Sequence, residues 1–194
     1  MNVLISGGAK NGKSFYAQRI AKAMADEGNL PLYYIATMIP GDEEDQARIR
    51  RHRREREGWG FTTLEIGRGL CSLLGSGRDG EAEAPEGSAA AREVDPVGVF
   101  LLDSVTALLS NEMFDPDGQF DPDAAGRVAG DCIAFAKETG HTVFVSDYIY
   151  ADAGDYGELT EAYRRGLAEV DRALARVCDR VIEVSAGCVE DWKR

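Results

Sequence analysis

The sequence predicts an α/β fold, a mostly parallel central sheet with helices on both faces, built around a phosphate-binding loop. Three observations predict it. Short apolar runs alternate with longer helical patterns, as strand–helix–strand units require. Runs such as "VGVFLL" stay apolar without alternation, which suits strands buried on both sides. A glycine-rich segment, "GGAKNGKS", stands between the first apolar run and the first helical pattern.

The elements follow in order. "NVLIS" (2–6) reads as the first strand, and the helix after the glycine segment covers about 13–27. "LYYIAT" (32–37) is the second strand, a charged helix is expected near 43–57, and "FTTLE" (61–65) is the third strand. The stretch 76–96, "SGRDGEAEAPEGSAAAREVDP", has no apolar periodicity and reads as a flexible inserted surface loop, with room for a short helix in "SAAARE". "VGVFLLD" (97–103) is the fourth strand, followed by helices near 104–113 and 121–139. "TVFVSD" (142–147), a helix near 157–178 and "RVIEVS" (180–185) complete the list. At 194 residues, one nucleotide-binding domain over 1–194 is expected, with the insertion looped out.

Composition bounds the function. A formal net charge of −12 argues against nucleic-acid or anionic-membrane binding, both of which need a basic field. Cys71, Cys132, Cys178 and Cys188 form no C-x-x-C pair, so reduced thiols in a cytoplasm are expected instead of a zinc site or disulfides. No basic leader and no long apolar run is present, so neither a signal peptide nor a membrane span is expected.

Gly7, Gly12, Lys13 and Ser14 satisfy G-x-x-x-x-G-K-S, between strand and helix. Glycines let backbone N–H groups turn toward phosphate oxygens, and the helix beginning near Lys13 points its positive end at them. Lys13 is expected to reach the β- and γ-phosphates and the Ser14 hydroxyl to ligate Mg2+. Such a site also needs a carboxylate near the metal, at the end of a neighbouring strand. Asp103 of "VFLLD" supplies one at the edge where open α/β sheets bind ligands, and an N-cap role is compatible with it. Asp147, ending "VFVSD", is the other candidate, expected beside the phosphates within water-mediated reach of Mg2+.

The stretch "DEEDQARIRRHRREREGWG" (42–60) packs Arg48, Arg50, Arg51, Arg53, Arg54 and Arg56 around His52. A charged helix is usually a solvated face, and acids first with arginines later suit the helix dipole. Against that, clustered cations repel unless anions sit nearby, and a bound triphosphate is such an anion. A neutral histidine is a competent nucleophile toward phosphorus, and arginines beside it can steady the oxygens during displacement. His141, just before a strand, reads as a surface turn residue.

In order, "GGAKNGKS", "YYIAT", "DEEDQARIRRHRRERE…WGFTTLE" and "LLDSVTALLSN" resemble the bifunctional adenosylcobinamide kinase/adenosylcobinamide-phosphate guanylyltransferase family of cobalamin biosynthesis. The most telling block is A-R-I-x-x-H, Ala47 to His52. The resemblance implies a P-loop NTPase fold of the RecA type and two reactions. One phosphorylates adenosylcobinamide, a corrinoid, from ATP or GTP, a choice left open by the residues. The other moves GMP from GTP through a covalent histidine adduct, at His52 here, to the cobinamide phosphate, giving adenosylcobinamide-GDP. It places Gly7, Gly8, Ala9, Lys10, Asn11, Gly12, Lys13 and Ser14 on the phosphates. It places Ala36, Thr37, Met38, Arg53, Arg54, Glu55, Arg56, Glu65 and Asp103 beside the nucleotide. Thr106 and Asn111 match the family's block without a derivable role, and a homotrimer is implied.

The resemblance weakens after the fifth strand. The family usually has N-E-V-G-x-G-x-x-P, whereas this chain has "SDYIYADAGDYG" (146–157), and Asp171 stands where the family usually has Asn. Two other readings are therefore kept: a relative that only transfers GMP, and a nucleotide-binding regulatory module. The segment 76–96 yields a first prediction. Lengthening a surface loop costs only about 0.6 kcal/mol per doubling. Replacing 78–93 with a short Gly/Ser linker is expected to leave urea-unfolding midpoint and GTP binding near those of the intact chain, and loss of soluble protein would show that the segment packs.

Overall fold

The computed structural model describes residues 1–75 and 94–193, apart from the side chains of Glu44, Arg48 and Glu55. The expected insertion at 76–96 lies outside these residues except for its last three, and the side chain of Glu55 lies outside them too. The chain forms β1 (Val3–Gly7), α1 (Lys13–Gly28), β2 (Leu32–Ala36), α2 (Glu43–Glu55) and β3 (Thr62–Glu65), then a 3-10 helix (Leu70–Leu74). There follow β4 (Val99–Asp103), α3 (Val105–Met113), α4 (Ala124–Thr139), β5 (Thr142–Asp147), α5 (Glu158–Val177), β6 (Arg180–Ser185) and β7 (Cys188–Lys193).

The strands form one sheet of order β3-β2-β4-β5-β1-β6-β7. Every pairing is parallel except β6 with β7. The middle strands are apolar throughout because each side chain meets a core. Phe100 and Leu102 join Leu4 and Phe144 in the cluster under α3, α4 and α5. Val99 and Leu101 join Val3, Ile5, Val143 and Val145 in the cluster under α1. Small residues Ala17, Ala21 and Ala25, at i, i+4 and i+8, let α1 lie close on the sheet.

Helix ends follow local chemistry. Asp42 caps α2, its carboxylate accepting the Asp45 N–H at 2.9 Å, and Ser104 caps α3 by accepting the Ala107 N–H at 3.2 Å. The helix expected from 121 begins at Ala124, because Asp121, Pro122 and Asp123 form a turn in which the Asp121 carboxylate accepts the Asp123 N–H at 2.8 Å. The α2 helix adds none of its described residues to either core cluster.

Two elements lay outside the sequence reading. One is the 3-10 helix at Leu70–Leu74, opened and closed by Gly69 and Gly75 in left-handed conformations. The other is β7. Ala186 (φ 50°) and Gly187 (φ 78°) form a two-residue loop with positive φ at both positions, the arrangement whose twist suits an antiparallel hairpin. Arg180 then grips Asp191 across the pair, Nε at 3.1 Å and Nη2 at 2.6 Å from Oδ2.

Gly7 ends β1 where its backbone passes the Asn11 side chain and the Val184 carbonyl, and a Cβ there would overlap both. A Cβ at Gly8 would come no closer than 4.0 Å, to the Tyr148 hydroxyl. Gly7→Ala is therefore expected to lower stability by ~1–3 kcal/mol, the usual cost of overpacking, with Gly8→Ala costing much less. Urea unfolding of the two variants checks the order.

Candidate active site

The register gathers the expected residues at the carboxyl edge of the sheet. Gly7 lies opposite Asp147, Ala36 opposite Asp103 on one side, and Ala36 opposite Glu65 on the other. Between β1 and β4 lies β5, so β5 adjoins β1 on that side and β4 is one strand further out. The carboxylate nearest the phosphate loop in the sheet is thus Asp147, and Asp103, expected on an adjacent strand, is one strand further out.

The loop from Gly7 to Ser14 is held by its own side chains. Asn11 donates its amide to the Val184 carbonyl and accepts the Lys13 N–H at 3.1 Å, tying the loop to β6 and to the start of α1. Lys10 (φ 57°) and Gly12 (φ 90°) adopt left-handed conformations that turn the backbone into α1. The Lys13 side chain, only 8% exposed, donates to the Gly8 carbonyl at 3.1 Å and forms an ion pair with Asp147 Oδ1.

A cavity of about 600 Å³, within the range of small-ligand sites, opens at this edge. Ala9, Lys10, Asn11, Gly12, Lys13 and Ser14 line it from the loop, and Ala36, Met38, Asp103 and Asp147 from the strand ends. From α2 and just beyond, Ile49, His52 and Arg56 line it as well. His52 and the phosphate loop, 39 residues apart from Lys13 in sequence, therefore face one space.

The cavity wall also includes residues that sequence reasoning had not assigned. The Tyr34 hydroxyl donates to Asp103 Oδ2 at 2.8 Å, and the Arg56 guanidinium lies 3.5 Å over the Tyr34 ring. Arg56 is buried, and among the described residues its Nε–H has no hydrogen-bond partner. A buried, unpartnered donor is costly unless an acceptor arrives, so this group is poised for an anion. Phe15, 58% exposed, lines the cavity beside Ser14 and meets Trp59 edge-on at 5.8 Å between centroids.

Not every expected residue faces this space. Thr37 is fully buried and clamps β2 to β4: its hydroxyl donates to the Ser104 carbonyl at 2.8 Å and accepts the Ser104 N–H at 2.7 Å. Gly7 and Gly8 are not among the residues lining it; Gly7 passes the Asn11 side chain and the Val184 carbonyl instead. Arg53 and Glu65 are exposed and pair with each other beside the cavity, and Arg54 is exposed. His141 sits at the opposite end of β5, about 20 Å from Asp147 by strand rise, with its Nδ1 3.0 Å from the Met1 amine.

The block "LLDSVTALLSN" acquires a physical reading here. Thr106 Oγ1 accepts the Asp147 N–H at 2.9 Å, and Asn111 Nδ2 donates to the Thr37 and Gly67 carbonyls at 2.7 and 2.9 Å. One short helix, α3, thereby fixes the ends of β2, β4 and β5 relative to one another.

Residues 3–191 match the family model described as cobinamide kinase / cobinamide phosphate guanyltransferase. The chain belongs to this family. The bifunctional adenosylcobalamin biosynthesis protein CobP of Pseudomonas aeruginosa is 32% identical over 194 residues, covering 96% of this chain and 94% of that protein. The bifunctional adenosylcobalamin biosynthesis protein CobU of Escherichia coli is 35% identical over 124 residues, 63% of this chain and 56% of that protein. Among solved structures, the ATPase domain of G40P superposes with a TM-score of 0.50 at 11% identity, covering 94% of this chain and 68% of that one. That likeness concerns the fold alone, and it bears out the expected P-loop NTPase architecture. Among the described residues, no helix is long and apolar enough to cross a membrane.

The segment after β5, where the sequence resemblance weakens, is held by α5. Arg164, on α5, donates to the Ile149 carbonyl at 3.2 Å and to Asp152 Oδ1 at 2.9 Å. Asp171, also on α5 and buried, accepts the Ser146 hydroxyl at 3.0 Å and the Tyr150 hydroxyl at 2.9 Å. Among the described residues its other oxygen has no hydrogen-bond partner. Burial raises its pKa from the ordinary 3.8 to about 6, despite the two hydroxyl donors that lower it. The folded state therefore holds this proton more tightly than the unfolded chain. Its stabilising contribution is full below about pH 4 and is lost as pH rises through about 6. Asp171→Asn is expected to raise unfolding free energy at pH 7 by ~1–3 kcal/mol. Urea unfolding at several pH values is also expected to show a smaller loss of stability between pH ~4 and ~6 in the variant than in the parent.

Proposed function

We propose that this chain is a cobinamide kinase and cobinamide-phosphate guanylyltransferase in which one phosphate loop serves both transfers and His52 carries GMP covalently. The observation that carries the reading is the shared cavity: Lys13 and His52 line one space. A triphosphate whose β- and γ-groups meet Lys13 extends its α-phosphorus from the loop toward the opposite wall, where α2 supplies the imidazole. The donor of the γ-phosphate is ATP or GTP, and the acceptor is the corrinoid alcohol. The enzyme acts in the cytoplasm, where its scattered cysteines stay reduced, and as a homotrimer, which the sequence resemblance implies.

In guanylyl transfer an imidazole nitrogen of His52 attacks the α-phosphorus. The N–P bond forms, the bond from the α-phosphorus to its bridging oxygen breaks, and pyrophosphate leaves. The ring keeps its N–H proton, so the adduct retains a good leaving group. An oxygen of cobinamide phosphate then attacks the same phosphorus and the N–P bond breaks, restoring the histidine and giving the dinucleotide-like diphosphate ester. Lys13 and Arg56, both lining the cavity, supply donors to the charge developing on the pyrophosphate in this reading. Arg53 and Arg54, on the same turn of α2 but exposed, add positive potential at the mouth.

The donor set suits Mg2+. Ser14 and Asp103 offer a hydroxyl and a carboxylate at the cavity wall, both hard oxygen donors. No group of three or more His, Cys, Asp or Glu able to hold a metal occurs among the described residues, which suits an ion shared with phosphates and water over a closed protein cage. Ser14 and Asp103 would hold the ion, and its charge would offset that of the phosphates.

Two variants test the reading together. Lys13→Ala is expected to depress both γ-phosphoryl and guanylyl transfer by about 10²-fold or more, since it removes the cation common to both. His52→Ala is expected to abolish guanylyl transfer and leave γ-phosphoryl transfer measurable, because that step needs no histidine nucleophile. Retained guanylyl transfer in His52→Ala would overturn the assignment, and equal loss of both reactions would show that α2 also builds the γ-phosphate site.

A further inference from the structure

We propose that Asp147 is the general base of the γ-phosphoryl transfer, the group that takes the proton from the acceptor alcohol. This rests on the kinase half of the proposed function. Asp147 lies opposite Gly7 in the sheet, and its Oδ1 is ion-paired with the Lys13 ammonium. The ammonium of such a loop lysine holds the β- and γ-phosphates. A carboxylate in contact with it lies within a few Å of the γ-phosphorus, where an in-line alcohol oxygen must also sit.

The placement is fixed from two directions. Strand register sets the Asp147 backbone, and Thr106 Oγ1 accepts its N–H at 2.9 Å. The side chain is 26% exposed and lines the cavity, so an acceptor can reach it. A carboxylate oxygen accepts hydrogen bonds, as a group receiving the alcohol proton must. A triphosphate draws the ammonium toward its own oxygens and leaves the carboxylate facing the acceptor.

Other carboxylates and histidines are worse placed. Asp103 lies one strand further from β1 and accepts the Tyr34 hydroxyl at 2.8 Å. Asp171 is sealed at 5% exposure, and His141 lies at the far end of β5. His52 sits on α2, the wall assigned to the α-phosphorus.

The step balances. The alcohol O–H proton passes to an Asp147 oxygen as the alcohol oxygen bonds to the γ-phosphorus. The bond from the γ-phosphorus to the β,γ-bridging oxygen breaks, and its electron pair leaves with the nucleoside diphosphate. The carboxylic acid returns its proton to water after release.

Asp147→Asn, nearly the same in shape, tests this with Mg2+, ATP or GTP, and adenosylcobinamide. Its kcat for γ-phosphoryl transfer is expected to fall about 10²-fold or more, the usual contribution of a positioned base. A fluorescent GTP analogue is expected to bind several-fold more tightly, because a neutral amide neither competes for Lys13 nor repels phosphate; a purely structural role would not tighten binding. GMP-adduct formation is expected to fall far less than γ-transfer, since that step takes no proton from an alcohol. Asp147→Glu, which keeps a carboxylate, is expected to recover roughly a tenth of the parent rate. A γ-transfer rate in Asp147→Asn within about threefold of the parent would overturn the proposal. So would equal loss in the Asn and Glu variants, or loss of both transfers restored by raised Mg2+, which would make Asp147 a metal-site group. Absence of γ-transfer in the parent chain would count against the kinase function itself and not against this assignment.

Discussion

The Lys13 ammonium is the interaction on which the rest of the site depends. It is buried, and a buried cation without partners costs several kcal/mol. Here the Gly8 carbonyl and the Asp147 carboxylate hold it. Asp147 is itself fixed by Thr106, and the helix carrying Thr106 begins at Ser104, which is clamped to Thr37. Asn111 extends the clamp to the loop at Gly67. The charge at the phosphate loop is thus set by contacts that run through the ends of β1, β5, β4 and β2. Catalysis of phosphoryl transfer is mostly positioning and charge stabilisation, and groups fixed before substrate arrives do not have to reorganise during the step.

A second constraint sits across the cavity. The histidine helix α2 adds none of its described residues to the core, and it is tied down by polar contacts: the Asp42 cap, the Arg53–Glu65 pair and the Arg56–Tyr34 stack. Elements with few buried apolar contacts open at low free-energy cost. A rigid wall that grips the phosphates and a more loosely held wall that brings a nucleophile suit two displacements on one nucleotide. They also fit the six arginines around His52 in a chain of formal charge −12: Arg53 pairs with Glu65, and Arg56 turns inward toward the cavity.

Much of this was legible in the sequence because it is local. The phosphate loop is one contiguous stretch, the strands announce their burial by continuous apolar character, and Asp103 and Asp147 end two such strands. Strand order was not legible, since it depends on which crossovers pass β1. That is why Asp147, and not Asp103, adjoins the loop. Thr37 had the right place and a different task, because a buried hydroxyl must satisfy its own hydrogen bonds and finds them at Ser104. The β7 hairpin was hidden because its strand is mostly exposed and polar, with only Ala186–Gly187 as a weak turn signal. The Arg56–Tyr34–Asp103 chain joins three segments and leaves no spacing to read.

The central claim is that one loop presents a nucleotide to two different attacks, one of them by His52. The most direct measurement is peptide mapping by mass spectrometry after incubating the full chain with GTP and Mg2+. One GMP is expected on the peptide carrying His52, released by acid and resistant to alkali as a phosphoramidate is. No adduct, or an adduct on a peptide without His52, would contradict it.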